Sequence, residues 1–167
     1  MNKITALTWK MTAYFQDDPK RIHHFLKVHA LAKAIAVTEN YSGDKLFTLE
    51  AAALIHDIGI KNAEAKFGSA NGKLQEQEGP KPAEDILKKL DFPPETIERV
   101  VYLVAHHHTY SKIEGMDHQI LVEADFLVNF YEDQSSPQSI KAAYNKIFKT
   151  KAGKELCKTL YASAFEN

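Results

Sequence analysis

His56 and Asp57 stand side by side in AAALIHDIGI (residues 51–60), a stretch otherwise made of alanine, leucine, isoleucine and one glycine. Such a segment belongs in a core, where an unpaired carboxylate is very costly. Asp57 therefore needs a proton, a cationic side chain or a metal ion. The adjoining imidazole makes a metal the sharpest candidate.

Further donors can be sought by helical phase, since positions three, four or seven apart share a face. Five of the eight histidines adjoin another histidine, in His23-His24 and His106-His107-His108. His24 falls in line with Val28, Leu31 and Ile35, an apolar stripe, whereas His23 lines up with Lys27 and Ala34. His24 is the inward member, and His29, in line with Phe25, Ala32 and Ala36, is a second and weaker candidate. His108 continues Ile97, Val101 and Val104, His107 continues Val100 and Val104, and His106 follows Arg99 and Leu103, which favours His107 and His108. The plain alternatives are a core histidine bonded to backbone and histidines at a solvated helix end, where the partial negative charge suits them. Late in the chain, ILVEADFLVNF (120–130) embeds Glu123, Asp125 and Asn129 among large apolar groups, with Asp125 on the face of Leu121 and Val128. A buried aspartate is often structural; beside the histidines, Asp125 reads as a ligand.

Two imidazoles, His24 and His56, and two carboxylates, Asp57 and Asp125, make a mixed nitrogen and oxygen donor set suited to a first-row transition metal, with positions left for water and substrate. A metal so held acidifies water and polarises a phosphoryl oxygen. That is the chemistry of a hydrolase.

The elements that must position these groups read as helices throughout, because apolar residues recur at helical spacing and alternating β-branched runs are hard to find. The expected fold is all-α, a single compact helical domain over 1–167. The first helix spans about 3–16 and the second about 19–37, opening at Pro19, a favoured first-turn residue. NYSGDK (40–45) is a turn, Thr48 caps a helix through Ile58, and Gly59 is placed to end it. Gly68, Gly72, Gly79, Pro80 and Pro82 mark about 61–82 as a long loop with a short helical piece near 63–67, of a length that is often functional. Helices follow at about 82–90, 94–108 and 118–131, the last capped by Asp117, and two lysine-rich helices fill 138–165.

The order His24, His56-Asp57, Asp125, with HFLKV and LIHDIG around the first elements and EADFLVN around the last, resembles the HD-domain superfamily of metal-dependent phosphohydrolases over about residues 19–131. The resemblance implies an all-helical domain in which His24, His56, Asp57 and Asp125 hold a divalent metal, usually manganese, cobalt, magnesium, iron or zinc. It implies a small phosphorylated substrate, nucleotides included, with Asp57, His107 and His108 in the catalytic work. Some relatives carry two metals, with the counterpart of Asp57 bridging them, and His107 and His108 stand where those relatives have paired histidines. This chain departs from that pattern after the glycine-rich stretch, where QEQEGP (75–80) lacks the expected histidine. Gln75, Glu76 or Glu78 must substitute, and Glu78 is taken as the candidate beside His107 and His108 for a second metal or for substrate. Many relatives place lysine directly after HD-x-G; here Ile60 does so and Lys61 comes one position late. Lys61, Glu64, Lys73, Thr109 and Tyr110 are the candidate substrate contacts, with an exposed Lys61–Glu64 ion pair as the alternative.

Two competing readings use the same donors: a diiron oxygenase, against which the missing histidine counts, and a non-catalytic module that keeps the metal for structure or signalling. Lysine plus arginine (21) balances aspartate plus glutamate (22), so any anionic substrate must be attracted locally and nucleic acid is not an expected partner. The lysines at 141, 146, 149, 151, 154 and 158 read as a solvated face. One cysteine, Cys157, excludes an intramolecular disulfide, and no segment is apolar enough for a signal or a membrane span, so a cytoplasmic location is expected.

Overall fold

The computed structural model describes residues 1–166. They form ten α-helices and a short 3₁₀ turn, with no strand among the described residues. The all-α fold is as expected. In chain order the helices are α1 (Lys3–Tyr14), α2 (Pro19–Thr38), α3 (Gly43–Ile55), α4 (Gly59–Phe67), α5 (Gly72–Glu78), α6 (Pro80–Lys89), α7 (Pro94–Val104), α8 (Met116–Glu132), α9 (Pro137–Lys146) and α10 (Lys151–Leu160). None is long and apolar enough to cross a membrane.

The centre is α3, which is buried on all sides along Thr48–Ile55. Its run of three alanines lets neighbours approach closely, and α2, α7, α8 and α1 pack around it. α2 lies between α3 and α8, so the stripe His24, Val28, Ile35 faces the core, and Val28 and Ile35 are fully excluded from water. Leu7 and Met11 of α1, Leu103 and Val104 of α7, and Ile120, Leu121 and Leu127 of α8 complete that core. Burial of such side chains contributes on the order of 1.5–3 kcal/mol each.

Five expected boundaries are corrected. Thr48 is not a cap: α3 starts at Gly43, a left-handed residue (φ +63°), and the Thr48 hydroxyl instead donates to the Asp44 carbonyl at 2.9 Å. Gly59 opens α4 rather than ending α3. A Cβ at Gly59 would lie 2.7 Å from the Gly79 nitrogen, so its value is close approach, not a turn. The expected loop 61–82 is α4, α5 and the start of α6. Its glycines and prolines punctuate short helices: Gly68 (φ +66°) ends α4, Asn71 caps α5 by accepting from Leu74 N–H at 3.1 Å, and Pro80 sits in the first turn of α6.

The expected helix 94–108 stops at Val104, which places all three clustered histidines in the turns that follow α7. Asp117 is likewise inside α8, behind the N-cap Gly115 (φ +90°), and binds the Arg99 guanidinium through two bonds of 2.7 and 2.8 Å. The lysine-rich α9 and α10 pack on the core through a carboxylate. Glu123 of α8 is fully buried and accepts from the Lys149 and Thr150 N–H groups, at 2.6 and 2.9 Å, and from the Thr150 hydroxyl.

Candidate metal centre

α2, the turn between α3 and α4, and α8 converge at one end of the bundle. Each brings one part of a polar cluster that the apolar core surrounds. His24 Nε2 lies 3.2 Å from Asp57 Oδ2, 3.1 Å from Asp125 Oδ1 and 3.3 Å from His56 Nε2. His56 Nε2 lies 3.5 Å from Asp57 Oδ1 and 3.6 Å from Asp125 Oδ1. His107 Nε2 lies 3.3 Å from Asp57 Oδ1. His24, His56, His107 and Asp125 are buried, and Asp57, with 19% of its side chain exposed, presents a face to solvent.

The tautomers follow from the other ring nitrogens. His56 donates from Nδ1 to the Ala53 carbonyl at 2.9 Å, and His107 donates from Nδ1 to the Val104 carbonyl at 2.8 Å. Each therefore turns a bare Nε2 lone pair toward Asp57. His24 donates from Nδ1 to Glu132 Oε2 at 2.9 Å, a carboxylate that Lys27 also binds at 2.7 Å. An outer carboxylate on the far nitrogen is the arrangement that orients metal-ligating histidines and raises their basicity.

The Nε2 atom of His107 is buried and has no hydrogen-bond partner: with the ring proton on Nδ1, neither it nor the Asp57 carboxylate 3.3 Å away can donate. Unsatisfied buried polar atoms are rare and call for a reason. Lone pairs and carboxylates aimed at one point supply it: the donors suit a divalent cation of the first transition row. Two groups of ligand atoms lie within 4.8 Å of one another, His24–His56–Asp57 and Asp57–His107–His108, with Asp57 common to both.

Protonation in the absence of such a cation follows the same geometry. Burial works to lower the pKa of His24, but the hydrogen bond to Asp125 and the charges of Asp57 and Asp125 outweigh it and raise the value to about 9. His56 is raised for the same reasons. Burial pushes Asp57 and Asp125 upward, yet the surrounding imidazoles hold both below the ordinary carboxylate range. His108 goes the other way, lowered to about 4 by burial and by His107.

The cluster floors a cleft of about 590 Å³. Its walls include Lys20, Arg21, Ile60, Ala70, Gln75, His108, Asn129, Glu132 and Asp133. Asn129 donates to Asp125 Oδ1 at 3.0 Å. The structure thus brings together His24, His56, Asp57, Asp125, His107 and His108. It does not bring Glu78 to them: that carboxylate, at the last residue of α5, binds Lys66 of α4 at 2.5 Å. Gln75 faces the cleft instead, and Glu76 accepts from the His108 N–H and the Thr109 hydroxyl, both at 2.9 Å.

None of the five candidate substrate contacts lines the cleft. Lys61 donates to the Tyr14 carbonyl at 3.0 Å, Glu64 binds Arg21 rather than Lys61, Lys73 is exposed on α5, Thr109 is held by Glu76, and the Tyr110 hydroxyl meets His108 Nδ1 at 3.0 Å. His29 lies outside the cluster and bonds to Glu50 at 3.0 Å. Glu132 was not among the sequence candidates, although it falls on the same α8 face as Asp125 and Asn129, at i, i+4 and i+7.

A family model for the HD domain matches residues 21–148, which extends past Asp125 into the C-terminal helices. The chain is also similar to the crystal structure of a predicted HD superfamily hydrolase from an uncultured Thermotogales bacterium, with 24% identity and a TM-score of 0.69 over 96% of this chain and 86% of that one. At that identity the likeness carries the fold. No curated protein matches.

Proposed function

The chain belongs to the HD-domain family, and from that premise we propose that it is a metal-dependent phosphohydrolase acting on a small phosphorylated compound. The observation that carries the reading is the convergence of His24, His56, Asp57 and Asp125 from three separate elements on one point at the floor of a cleft. These four residues would hold the ion. When bound there, a divalent cation supplies Lewis acidity, which acidifies water and polarises a phosphoryl oxygen.

The protein's own groups do the rest. Asp57 is the ligand with a face open to the cleft, so its carboxylate orients a water molecule there and accepts its proton. His107, with its bare Nε2 beside Asp57 Oδ1, takes up charge as it develops. Lys20 and Arg21 at the mouth supply local positive charge for a phosphate. Arg21 is steadied for this by Asp18 at 2.8 Å and Glu64 at 2.5 Å. A cleft of about 590 Å³ admits a compound of nucleotide size and excludes a folded macromolecule from the floor.

The test is hydrolysis of a panel of phosphomonoesters, phosphodiesters and nucleotides by chelator-treated protein resupplied with Mn²⁺, Co²⁺, Mg²⁺, Fe²⁺ or Zn²⁺. Turnover should return with metal and fall by at least about a thousandfold in His56→Ala and Asp57→Ala, the scale of losing a group that acts in the transition state. Full turnover by a variant that binds no metal would overturn the mechanism. Metal binding without turnover of any ester would identify a non-catalytic metal module, and dioxygen consumption an oxygenase.

A further inference from the structure

His107 and His108 adjoin one another beside the same cleft yet carry opposite tautomers. His107 commits its Nδ1 proton to Val104 and keeps a bare Nε2. The state of His108 is set by Gln75, which is 8% exposed. Gln75 donates from Nε2 to the Ala70 carbonyl at 2.7 Å, and this turns its Oε1 to His108 Nε2 at 3.1 Å. An amide oxygen only accepts, so His108 carries its proton on Nε2. The remaining lone pair, on Nδ1, accepts from the Tyr110 hydroxyl at 3.0 Å. Both ring nitrogens of His108 are thus engaged by protein groups.

The ring is also fixed in place. α5 begins directly against it, since a Cβ at Gly72 would lie 2.7 Å from His108 Cγ. Glu76, one residue after Gln75, holds the His108 N–H at 2.9 Å. A ring nitrogen of His108 already lies within 4.8 Å of ligand atoms of Asp57 and His107, but offering a lone pair there means giving up the bond to Gln75 or to Tyr110.

We propose that Gln75 withholds His108 from coordination and so limits the centre to one divalent ion, held by His24, His56, Asp57 and Asp125. The proposal rests on the metal-centre reading above and adds its stoichiometry. With His108 so engaged, the described residues leave one imidazole lone pair, on His107, and one carboxylate oxygen, on Asp57, on that side, too few protein donors to retain a second ion of this class.

The experiment counts ions. Full-length protein is stripped with chelator, loaded with Mn²⁺ and desalted; elemental analysis gives metal per chain, and electron paramagnetic resonance separates an isolated ion from a coupled pair. Wild type should hold one ion per chain with the six-line pattern of isolated Mn²⁺. Gln75→His replaces the amide oxygen by an imidazole nitrogen and releases His108, and should raise the count to two with a broadened, coupled spectrum. Gln75→Leu, which removes the acceptor with little change in volume, should bind a second ion at least about tenfold more tightly than wild type in titration. His108→Ala should retain the single ion.

Two ions in wild type, or loss of the ion in His108→Ala, overturn the proposal and leave the metal centre standing. One ion in wild type and in both Gln75 variants overturns the role of Gln75. No ion in folded wild type, as judged by circular dichroism, overturns the metal centre itself.

Discussion

Asp57 meets three imidazoles at 3.2–3.5 Å, and what those rings carry decides its neutralisation. In chelator-treated protein the counter-charge is a proton on His24, whose pKa is raised to about 9 by Asp125 and Asp57 against the opposing effect of burial. A base whose folded pKa is raised contributes stability that is fully present below its unfolded value near 6.5 and is lost as pH rises through the folded value. Urea melts of stripped protein should therefore show stability falling between about pH 6.5 and 9, with a slope of at most about 1.4 kcal/mol per pH unit per proton. Asp125→Asn removes the strongest stabiliser of that proton and should flatten the slope; an unchanged slope would remove His24 from this role. At this scale the chemistry was readable because a His-Asp pair in a run of alanine and isoleucine has no inexpensive alternative. Glu78 misled because QEQEGP offers three polar candidates and Gln75 and Glu78, three positions apart, share a helical phase; the packing of α5 puts Gln75 in the cleft and Glu78 against Lys66 of α4.

Helices transmit these residue positions, and their contacts are where sequence signals were least direct. The strongly periodic α2 and α8 were placed within a residue or two, since each buries a long stripe. α4 was expected only as a short piece near 63–67 and α5 not at all, because helices of nine and seven residues have little periodicity to show, while their glycines serve two purposes that look alike in sequence. Gly68 is a left-handed helix end, but Gly59 is a contact point whose missing side chain lets α4 touch the α5–α6 junction. Gly59→Ala should cost about 2–4 kcal/mol in chemical denaturation, in contrast to the stabilising sign of the same change at an exposed helical site. It should also weaken metal binding, because Gly59 is two residues from Asp57. A stabilised variant with unaltered metal affinity would refute the close-contact reading. The turn of His106–Thr109 was misread as helix for a related reason: the phase that selects His107 continues the apolar face of α7, but the chain leaves the helix at Val104 and is held by Glu76 and by His118, which donates to the His106 carbonyl at 3.0 Å.

Glu123 shows the same kind of ambiguity between structure and chemistry. In the sequence it stands two residues from Asp125 in the same apolar run, where Asp125 alone reads as a ligand. The structure separates them by a 200° rotation around α8, which aims Asp125 at the histidines and Glu123 at the start of α10. Removing Glu123 takes the acceptor from two backbone N–H groups and from the Thr150 hydroxyl proton, each costing about 1–3 kcal/mol. Glu123→Ala should thus lower stability by about 3–5 kcal/mol, and Glu123→Gln, which keeps one acceptor oxygen, by less. Both should bind metal normally at temperatures where they remain folded, and loss of binding in the folded glutamine variant would place Glu123 in the site after all.

Across the whole molecule, the candidate ligands His24, Asp57 and Asp125 come from α2, the α3–α4 turn and α8, elements far apart in the chain that share the central core. A cation bound among them exists only in the folded state, so it stabilises by mass action: about 2.7 kcal/mol when the free ion is at one hundred times its Kd. For a domain of this size that corresponds to a Tm increase of roughly 5–10 °C. The near-zero net charge of the chain gives no long-range attraction for cations, so this gain must come from the cluster and not from general acidity. The discriminating comparison is between Asp125→Asn and Asp85→Asn. Asp125 faces His24 and His56 in the core, whereas Asp85 is an exposed partner of Lys81 on α6. Thermal melts with Mn²⁺ and with chelator should show the shift intact in Asp85→Asn and nearly abolished in Asp125→Asn. An equal shift in both would mean that the ion binds elsewhere on the surface, and the three helices would then be joined by the apolar core and the His24 proton alone.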